Sequence, residues 1–405
     1  MKFIVIGISD SPNPFFPPEV MSVIQHGRVF SGGKRHHEIV APLLPPEAVW
    51  VDIIVPLDSV FEQYQQVPVD QQIVVFASGD PLFFGFANTI MRKLPEAEVK
   101  VFPTFNSLQM LAHKMLLPYH DMQVVSLTGR DWAKFDEALI NGKEMIGCLT
   151  DRVKTPYTIQ QRMSDFGYTN YLMTVGENMG NEAKERVSKY EEQATYDHPN
   201  CIILQKMHER VRPFGIPDNE FALLDGREKM ITKMPIRLLV LQSLELRRRS
   251  VLWDIGACTG SVSIEARLQF PHLRVEAFEV RPECEEIINT NMRRHGASGI
   301  HIHIGDFLEN DEWGLETAER PDAVFIGGHG GRLKEILAKV NRLIAPGGVI
   351  VMNSVVAPRV QTDSRQLWDE ACCELNLQQD EPTHIQLNNH HPITILKCRK
   401  LPSFK

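Results

Sequence analysis

The segment Val251-Leu252-Trp253-Asp254-Ile255-Gly256-Ala257-Cys258-Thr259-Gly260 decides the fold of the second half of this chain. Its apolar run predicts a buried parallel strand, Val251–Ile255. Gly256 and Gly260 let the backbone turn tightly and approach a ligand closely, and Ser261 begins a predicted helix that ends at Leu268. A strand, a glycine turn and a helix in this order are typical of a nucleotide-type cofactor site.

Two further strand ends point to the same cofactor. A second apolar strand, Val275–Phe278, is followed by Glu279, whose carboxylate can accept both hydroxyls of a ribose. A third strand, Ile300–Ile304, is followed by Gly305-Asp306, which places an acceptor for an adenine amino group. Because ligands bind at the carboxyl ends of parallel strands, these ends are expected to converge on one nucleoside. For the glycine turn alone, a tight strand–helix junction without a ligand is the alternative interpretation.

This order of features resembles the S-adenosylmethionine-dependent methyltransferases of the Rossmann-like class. The Gly-x-x-x-Gly spacing differs from the Gly-x-Gly-x-x-Gly spacing of dinucleotide sites. Cys258 stands where that class usually has glycine, and we expect it to narrow the loop. The resemblance implies that the cofactor is bound by Thr232, Gly256, Ala257, Cys258, Thr259, Gly260, Glu279, Asp306 and Phe307.

The composition limits the class of protein. A chain of 405 residues exceeds the size of one hydrophobic core, so two or three domains are expected. Hydrophobic residues make up 43% and charged residues 23%, as in an ordinary globular protein. The net charge of -8 argues against nucleic acid as a partner.

Membrane and metal sites are not expected either. No run approaches the ~18 apolar residues of a membrane span, and Phe3–Ile8 predicts a first strand rather than a signal peptide. The 7 cysteines form no Cys-x-x-Cys pair, which fits a reducing cytoplasm. The histidines lack carboxylate or cysteine partners at zinc spacing, so no metal is expected.

Short apolar strands alternate with helical segments, which predicts an α/β protein. We expect a first domain over residues 1–206 with subdomains of about 1–118 and 119–206, a linker over 207–225, and a second domain over 226–405. The strands predicted in the first domain are Phe3–Ile8, Trp50–Ile54, Ile73–Phe76, Val99–Phe102, Gln123–Ser126, Met145–Leu149, Tyr171–Thr174 and Cys201–Gln205.

The second domain is predicted to start with a helix over Met234–Leu244. Pro235 lies in its first turn, where the missing N–H costs little. Its inner face is predicted to carry Leu238, Leu239, Leu241 and Leu244. Five or more strands follow and end with Thr394–Cys398, so we expect a Rossmann-like domain with an extra C-terminal strand pair.

The octet Ser78–Gly85 follows the strand Ile73–Phe76 and predicts the start of a helix that runs to about Lys93. Gly79 permits an unusual backbone angle, and Pro81 suits a first helical turn. Asp80 can cap that turn or bind a ligand. From the residues alone, a helix start and a binding site are equally good interpretations.

Together with Gly32–Arg35, Phe105–Ser107 and Ser126–Arg130, this octet resembles the tetrapyrrole methylase family, in particular its members in the cobalamin pathway. Those proteins bind S-adenosylmethionine in a cleft between two α/β halves. The resemblance implies cofactor contacts from Gly79, Asp80, Phe83, Ser107 and Thr128.

Beyond the linker, four motifs resemble the partner methyltransferase of the same pathway: Thr232-Lys233, Trp253–Gly260, Ser263–Ala266 and Pro321–Gly328. The fold implied is a tetrapyrrole methylase fold of two α/β subdomains followed by a Rossmann-like methyltransferase domain. The activity implied is C-methylation and decarboxylation in corrin ring biosynthesis, with S-adenosylmethionine bound at two sites per chain. The first half would methylate carbon 5 of the macrocycle, and the second would methylate carbon 15 and decarboxylate the ring C acetate. The resemblance also suggests a homo-oligomer.

A polycarboxylate tetrapyrrole requires cations and a proton donor. The candidates for binding its carboxylates are Lys34, Arg35, Arg130, Lys233 and Arg237. His329, in a glycine-rich loop after the strand Ala323–Ile326, is the candidate general acid that protonates the product carbon. A loop histidine that only packs or forms hydrogen bonds is the alternative interpretation.

Two alternatives stay open at this point. One is a two-domain S-adenosylmethionine methyltransferase for another substrate, with a non-catalytic first half. The other is a nicotinamide-dependent oxidoreductase, against which the glycine spacing speaks. The sequence also leaves open whether cobalt is already in the macrocycle, and in which order methylation and decarboxylation occur.

Overall fold

The computed structural model describes residues 1–309, 314, 319–355, 364–387 and 392–402. The chain divides into two compact units. Unit 1 comprises residues 1–130, 143–160 and 170–208, and unit 2 comprises 131–142, 161–169 and 209–405. Two short segments of the first half are thus grouped with unit 2, a feature that the strand pattern does not predict.

Unit 1 begins with a parallel five-stranded sheet in the order β3-β2-β4-β1-β5. Alternate residues of β1 enter two different clusters: Phe3 and Val5 on one face, Ile4 and Ile6 on the other. Both faces are therefore buried, as parallel sheets require. The elements are β1 (Lys2–Ile8), α1 (Pro18–His26), β2 (Val29–Gly32), α2 (Lys34–Val40), β3 (Val49–Asp52), α3 (Asp58–Gln65), β4 (Gln72–Ser78), α4 (Phe86–Lys93) and β5 (Glu98–Phe102).

A second five-stranded sheet follows in the order β6-β7-β10-β8-β9. Strands β6 and β7 are parallel, whereas β10 is antiparallel to both β7 and β8. The elements are α5 (Ser107–Lys114), β6 (Gln123–Ser126), α6 (Ala133–Ile140), β7 (Met145–Leu149), α7 (Pro156–Asp165), β8 (Tyr171–Glu177), β9 (Arg186–Lys189) and β10 (Asn200–Lys206), of which α6 and the second half of α7 are grouped with unit 2.

Unit 2 contains an eight-stranded sheet in the order β13-β12-β11-β14-β15-β18-β16, with β17 also paired to β18. Strands β11 to β15 are parallel, and β18 runs antiparallel to β15. The elements are α8 (Met234–Ser243), β11 (Val251–Ile255), α9 (Ser261–Gln269), β12 (Arg274–Glu279), α10 (Cys284–His295), β13 (Ile300–Ile304), β14 (Ala323–Ile326), α11 (Leu333–Leu343), β15 (Val349–Val355), α12 (Ser364–Glu374), β16 (Gln378–Gln379), β17 (Thr383–Ile385) and β18 (Ile393–Arg399). The strand order reverses beside β11, which is where ligands bind in open α/β sheets.

The predicted α/β class and the Rossmann-like second domain are confirmed. The bounds predicted for β6, β7, β11, β13 and β14 match the structure. Strands β2 and β9, each 4 residues long, were not predicted. The C-terminal strands number three among the described residues, rather than a pair.

Two helix predictions were wrong in detail. Helix α4 begins at Phe86 rather than at Pro81, because Gly79 and Phe84 adopt φ values of +62° and +55° that no helix accepts. On α8, the predicted Leu239 is 39% exposed and Leu238 is half-buried, whereas Leu241 and Leu244 are buried as predicted. The true inner face also carries Ile236 and Val240.

The segment predicted as a linker packs into unit 2. Ile216 and Phe221 are buried in its hydrophobic core beside Ile236. Backbone N–H groups of Gly215 and Ile216 donate to the buried Glu265 carboxylate at 3.2 and 2.9 Å. Among the described residues, no helix has both the length and the apolar composition that crossing a membrane requires.

Candidate cofactor and active sites

The turn after β11 forms as the two glycines predict. Gly256 has a φ of +77°, and a Cβ there would lie 2.7 Å from the Gly328 nitrogen. The backbone N–H groups of Gly256 and Ala257 donate to the Phe278 carbonyl at 2.8 and 3.1 Å. Gly260, at a φ of +71°, has Ile288 so close that a Cβ would lie 2.9 Å from its Cγ2. Neither position has room for a side chain, and Gly256 lines the cavities beside the turn with backbone atoms alone.

Cys258 takes a glycine-like conformation, with a φ of +52°. Its thiol donates to the Met230 carbonyl at 3.2 Å and packs against Leu224 and Cys284. Its backbone N–H donates to Glu279 Oε2 at 2.8 Å. The departure from glycine is thus absorbed by the packing of the thiol, while the N–H ties the turn to the acid at the end of β12.

Glu279 is buried, and its carboxylate is held by Arg281 as well as by Cys258. Arg281 donates to Oε1 from its backbone nitrogen at 3.1 Å and from Nε at 2.8 Å, and to Oε2 from Nη2 at 3.0 Å. The ion pair fixes the carboxylate at the predicted ribose site, with its charge balanced by the guanidinium.

A cavity of about 430 Å³, which we call the smaller cavity, is lined by Glu279, Asp306, Phe307 and His329. Asp306 Oδ1 accepts from the Leu308 nitrogen at 2.8 Å, and its Oδ2 lies 3.0 Å from Arg332 Nη1. Four predicted site residues, from the ends of β12 and β13 and from the loop after β14, therefore meet around one space.

His329 is neutral in this setting. Burial lowers the pKa of His329 below its ordinary value. The Gly331 N–H donates to Nδ1 at 3.1 Å, so Nε2 carries the hydrogen and donates to Ser364 Oγ at 3.0 Å. Its ring nitrogens thus have partners within its own loop and at the start of α12.

A second space of about 750 Å³, the larger cavity, lies on the other side of the glycine turn. Three buried side-chain oxygens that line it have no hydrogen-bond partner: Asp254 Oδ1, Thr259 Oγ1 and Asn353 Oδ1. The other Asp254 oxygen accepts from Ser263, at 3.1 Å from its nitrogen and 2.6 Å from its Oγ. Burial raises the pKa of Asp254 to about 6, against the opposing effect of the Ser263 hydrogen bonds. Unpaired buried oxygens are costly, so this cavity is built to receive donors.

Asp254 and Asn353 were missed as site residues. Asp254 is the acid in the segment that predicts the glycine turn, and it was read as part of the strand. Asn353 follows the apolar run 349–352 of β15. A polar residue that directly follows an apolar run within a strand is a signal that can be found in the sequence alone.

The two predicted cations of unit 2 have different surroundings. Lys233 lines the larger cavity, with Nζ 3.5 Å from Asp218 Oδ2. Arg237 is fully buried and cannot meet a substrate carboxylate. Its guanidinium contacts Glu265 at 3.2 Å and donates to the Thr232 carbonyl at 2.8 Å and to the Ile216 carbonyl. The prediction for Arg237 is therefore corrected: it holds the segment before α8 against the core.

Unit 1 contains a cleft of about 430 Å³, the unit 1 cleft. It is lined by four of the predicted cofactor residues: Gly79, Phe83, Ser107 and Thr128. Gly79 packs so tightly that a Cβ would lie 2.8 Å from Asn106 Cα. The fifth, Asp80, is absent from the lining and accepts from the Leu82 nitrogen at 2.9 Å, which caps the turn instead.

Two charged side chains of the unit 1 cleft, Arg35 and Asp10, form an ion pair. Arg35 Nε lies 3.1 Å from Asp10 Oδ1, and its Nη2 donates to Ser78 Oγ at 3.0 Å. Arg152 and His198 also line the cleft. Burial, then Arg152 and Arg35, lower the pKa of His198. Asp10, Arg152 and His198 were missed, although the first two follow the predicted strands β1 and β7.

The two remaining predicted cations do not line the unit 1 cleft. Lys34 is exposed at the start of α2. Arg130 donates to Ser126 Oγ at 2.6 Å, and its guanidinium lies 5.2 Å from the centre of the Phe84 ring. Of the five cations, Arg35 and Lys233 are those that the structure brings to a cavity.

Comparisons with known proteins agree on one group of relatives. Residues 225–379 match a family model described as a precorrin methyltransferase domain. A precorrin-6Y C(5,15)-methyltransferase (decarboxylating) of Sinorhizobium is 30% identical over 358 residues, which cover 87% of this chain and 84% of that protein. A cobalt-precorrin-6B C(15)-methyltransferase (decarboxylating) of Salmonella typhimurium is 33% identical over 184 residues, 44% of this chain and 93% of that protein. The crystal structure of a precorrin-6Y C5,15-methyltransferase of Geobacter metallireducens is 31% identical, covers 46% of this chain and 98% of that chain, and superposes with a TM-score of 0.40.

Proposed function

This chain belongs to the family of the decarboxylating precorrin-6Y C(5,15)-methyltransferases, and from that membership we propose how its two units share the work. It is an S-adenosylmethionine-dependent C-methyltransferase with decarboxylase activity in cobalamin biosynthesis. Unit 1 methylates carbon 5 of the tetrapyrrole, and unit 2 methylates carbon 15 and decarboxylates the ring C acetate. Family membership favours this function over that of a methyltransferase for another substrate.

The division between the units has two supports. The precorrin methyltransferase model matches residues 225–379, all within unit 2. The Salmonella relative is named for C(15) methylation and decarboxylation alone, and it matches only 44% of this chain. The C(5) reaction is then left to unit 1.

The unpartnered oxygens of the larger cavity are the observation that carries the cofactor proposal. S-adenosylmethionine has a nucleoside at one end and an amino acid at the other. Glu279 would accept the ribose hydroxyls, and Asp306 would accept the adenine amino group in the smaller cavity. Asp254 Oδ1 and Thr259 Oγ1, buried without partners, would accept the ammonium group at the other end. The bound cofactor supplies an electrophilic methyl group.

The side chains around the larger cavity prepare the macrocycle for that transfer. Ile231, Val262 and Phe325 exclude water from one part of its wall. Lys229 and Lys233 line the same cavity and would hold substrate carboxylates. Holding the acceptor carbon in line with the methyl group is the main requirement of the reaction.

The proton donor for the decarboxylated carbon is a separate question. His329 lines the smaller cavity and is absent from the lining of the larger one. Burial lowers its pKa, and its Nδ1 accepts from the Gly331 N–H, and both disfavour the imidazolium form that would donate a proton. We propose that it fixes the loop 328–331 beside the adenine, rather than serving as the general acid expected from the sequence.

In unit 1 we propose that S-adenosylmethionine binds in the unit 1 cleft, beside Gly79, Phe83, Ser107 and Thr128. Arg35 and Arg152 would meet the carboxylates of the macrocycle there. The chain would then hold two cofactor sites, each at the carboxyl ends of the parallel strands of its own unit. A homo-oligomer also remains our proposal from the resemblance.

Calorimetric titration with S-adenosylhomocysteine tests this proposal. The wild-type protein is expected to bind two equivalents per chain. Glu279→Ala should weaken the unit 2 site by about 1 to 3 kcal/mol, because it leaves polar groups unpaired. Ser107→Phe should fill the unit 1 cleft and remove the other site. Loss of both sites in one variant with unchanged melting temperature, or a single site in the wild type, would contradict the two-site proposal.

A further inference from the structure

The carboxylate of Glu279 has no room for a ribose while Arg281 remains in place. A carboxylate offers about four lone-pair positions. The Arg281 backbone nitrogen and Nε occupy two on Oε1, and the Cys258 nitrogen and Arg281 Nη2 occupy two on Oε2, at 2.8 to 3.1 Å. Two of the four donors belong to the guanidinium, which is the number that two ribose hydroxyls would replace.

Arg281 also lies between the two cavities. Together with Met230, Gly256 and Gly328 it lines both the smaller and the larger cavity. Its third guanidinium nitrogen, Nη1, lies 3.5 Å from the Met230 sulfur. A ligand with its adenosine in the smaller cavity and its amino acid in the larger one must pass the position of this side chain.

The side chain can leave without disturbing the turn. The backbone nitrogens of Cys258 and Arg281 keep their bonds to Glu279 when the guanidinium departs. The side chain is 21% exposed, so it has a path toward solvent and the larger cavity. Glu279 raises the pKa of Arg281, chiefly through their hydrogen bonds, and the guanidinium stays charged in either position.

We propose that Arg281 exchanges partners during the reaction: the cofactor ribose displaces its guanidinium from Glu279, and the freed guanidinium binds a carboxylate of the macrocycle in the larger cavity. The inference rests on the proposed function of unit 2. It makes Arg281 a positioning residue for the substrate, and it orders binding, because the cation becomes available only after the cofactor has bound. The macrocycle's carboxylate then forms a new ion pair with Arg281, in place of the Arg281–Glu279 pair that cofactor binding breaks.

Removing the guanidinium should therefore strengthen cofactor binding. In the Ser107→Phe background, Arg281→Met is expected to bind S-adenosylhomocysteine about tenfold more tightly than its parent, since no charged hydrogen bonds need to be broken. Arg274→Met is the matched control: it removes an arginine at the start of β12, the strand that Arg281 follows, where Nε pairs with Glu276 at 2.6 Å, outside both cavities. Its affinity should be unchanged.

Each outcome separates the inference from the function. Unchanged or weaker binding by Arg281→Met, with the parent still binding, overturns the exchange but leaves the cofactor site intact. Absence of binding in the parent, with wild-type protein showing no unit 2 site, overturns the proposed function itself. The exchange is supported if Arg281→Met binds S-adenosylhomocysteine more tightly than the parent and Arg274→Met does not. An arginine that only stabilises the fold would not compete with the cofactor, so its removal would not raise the affinity.

The second half of the exchange needs a polycarboxylate probe. We would use cobyrinic acid, a stable corrin with several carboxylates, and measure its dissociation constant with and without S-adenosylhomocysteine. The parent should bind it several-fold more tightly when the cofactor analogue is present, and Arg281→Met should show no such gain. An equal gain in both proteins, or no gain or binding in the parent, would overturn carboxylate capture by Arg281.

Discussion

The two units satisfy their polar groups in opposite ways. In the larger cavity of unit 2, oxygens of Asp254, Thr259 and Asn353 are buried without partners. In the part of the chain that the structure describes, no such atom lines the unit 1 cleft. There Arg35 binds Asp10 and Ser78, and Thr150 Oγ1 binds Asn200 Oδ1 at 2.7 Å. The larger cavity of unit 2 thus offers acceptors that have no partner, whereas the unit 1 cleft must break its own pairs to bind a ligand.

The same contrast divides two arginines that the sequence analysis treats alike. Both Arg35 and Arg237 are predicted to bind substrate carboxylates. Arg35 lies in a cleft with 42% of its side chain exposed, whereas Arg237 has none exposed. Exposed ion pairs contribute little to stability, but a buried charge that loses its partner is costly.

Replacing these arginines should give the largest difference between the units. Arg237→Met is expected to lower the free energy of unfolding of unit 2 by about 3–5 kcal/mol, because it strands the buried Glu265 carboxylate. Arg35→Met should cost at most about 1 kcal/mol, while weakening binding of a corrin polycarboxylate to unit 1. Denaturant melts of both variants measure this. If both variants were destabilised equally, the distinction between Arg237 as a structural arginine and Arg35 as one that can bind a ligand would be wrong.

Asp254, whose pKa is raised, makes the stability of unit 2 depend on pH, whereas Asp151 and His198 in the unit 1 cleft have lowered pKa values. Burial raises the pKa of Asp254 from 3.8 to about 6, so the folded state favours the protonated form. The cost of ionising it is absent below the unfolded pKa, grows as the pH rises, and is fully present above the folded pKa, at about 3 kcal/mol. Between pH 4 and pH 7, the free energy of unfolding should therefore fall less in Asp254→Asn than in the wild type.

Cofactor affinity at the unit 2 site should also depend on the ionisation of Asp254. If Asp254 accepts an ammonium group, it must be ionised, so affinity at the unit 2 site should fall as the pH drops through about 6. The Asn variant should bind more weakly and without this pH dependence. Calorimetry at several pH values in the Ser107→Phe background measures it. A wild-type affinity that does not change with pH would exclude Asp254 from the cofactor contact.

The two cofactor sites should differ in affinity. Unit 2 gains hydrogen bonds for oxygens that have none, while unit 1 exchanges existing pairs for new ones. We expect S-adenosylhomocysteine to bind unit 2 about tenfold more tightly, or ~1.4 kcal/mol. Separate titrations of Ser107→Phe and Glu279→Ala isolate the two constants. Arg281 should weaken cofactor binding to unit 2, because the cofactor must displace it from Glu279. If the two sites have equal affinities in the wild type and unequal affinities in Arg281→Met, Arg281 is the side chain that offsets the advantage of unit 2.

The sequence predicts the scaffold of unit 2 well because its signals are local. An apolar run, two glycines and an acid are contiguous, and the bounds of β11 follow from them. The same locality places Glu279 and Asp306, since each directly follows an apolar strand. Family resemblance adds the unit 1 residues Gly79 and Phe83, which physical reasoning alone leaves undecided between a site and a helix start.

What the sequence does not predict depends on contacts between distant segments. Whether Arg237 faces solvent or Glu265 is decided by how 215–218 folds over α8, and no local pattern encodes that. Arg281 and Glu279 are close in the sequence, so their pairing is a local feature. That the carboxylate has no acceptor position left for a ribose also depends on the distant turn at Cys258, whose backbone N–H donates to Glu279 Oε2. Leu239 was misplaced because Pro235 and a run of leucines suit several helix faces equally.

The smallest effect is expected at His329, and it decides whether the smaller cavity takes part in chemistry. If His329 only fixes its loop, His329→Ala removes one or two hydrogen bonds and should weaken S-adenosylhomocysteine binding by about 0.5–1.5 kcal/mol. The fraction of methylated product that is also decarboxylated should stay as in the wild type. A general acid would behave otherwise: its pKa is lowered by burial, so its protonated fraction, and the decarboxylation rate, would fall as the pH rises through that low pKa. Such a limb in the wild-type pH profile, lost in His329→Ala with cofactor affinity retained, would restore His329 as the proton donor and make both cavities of unit 2 catalytic.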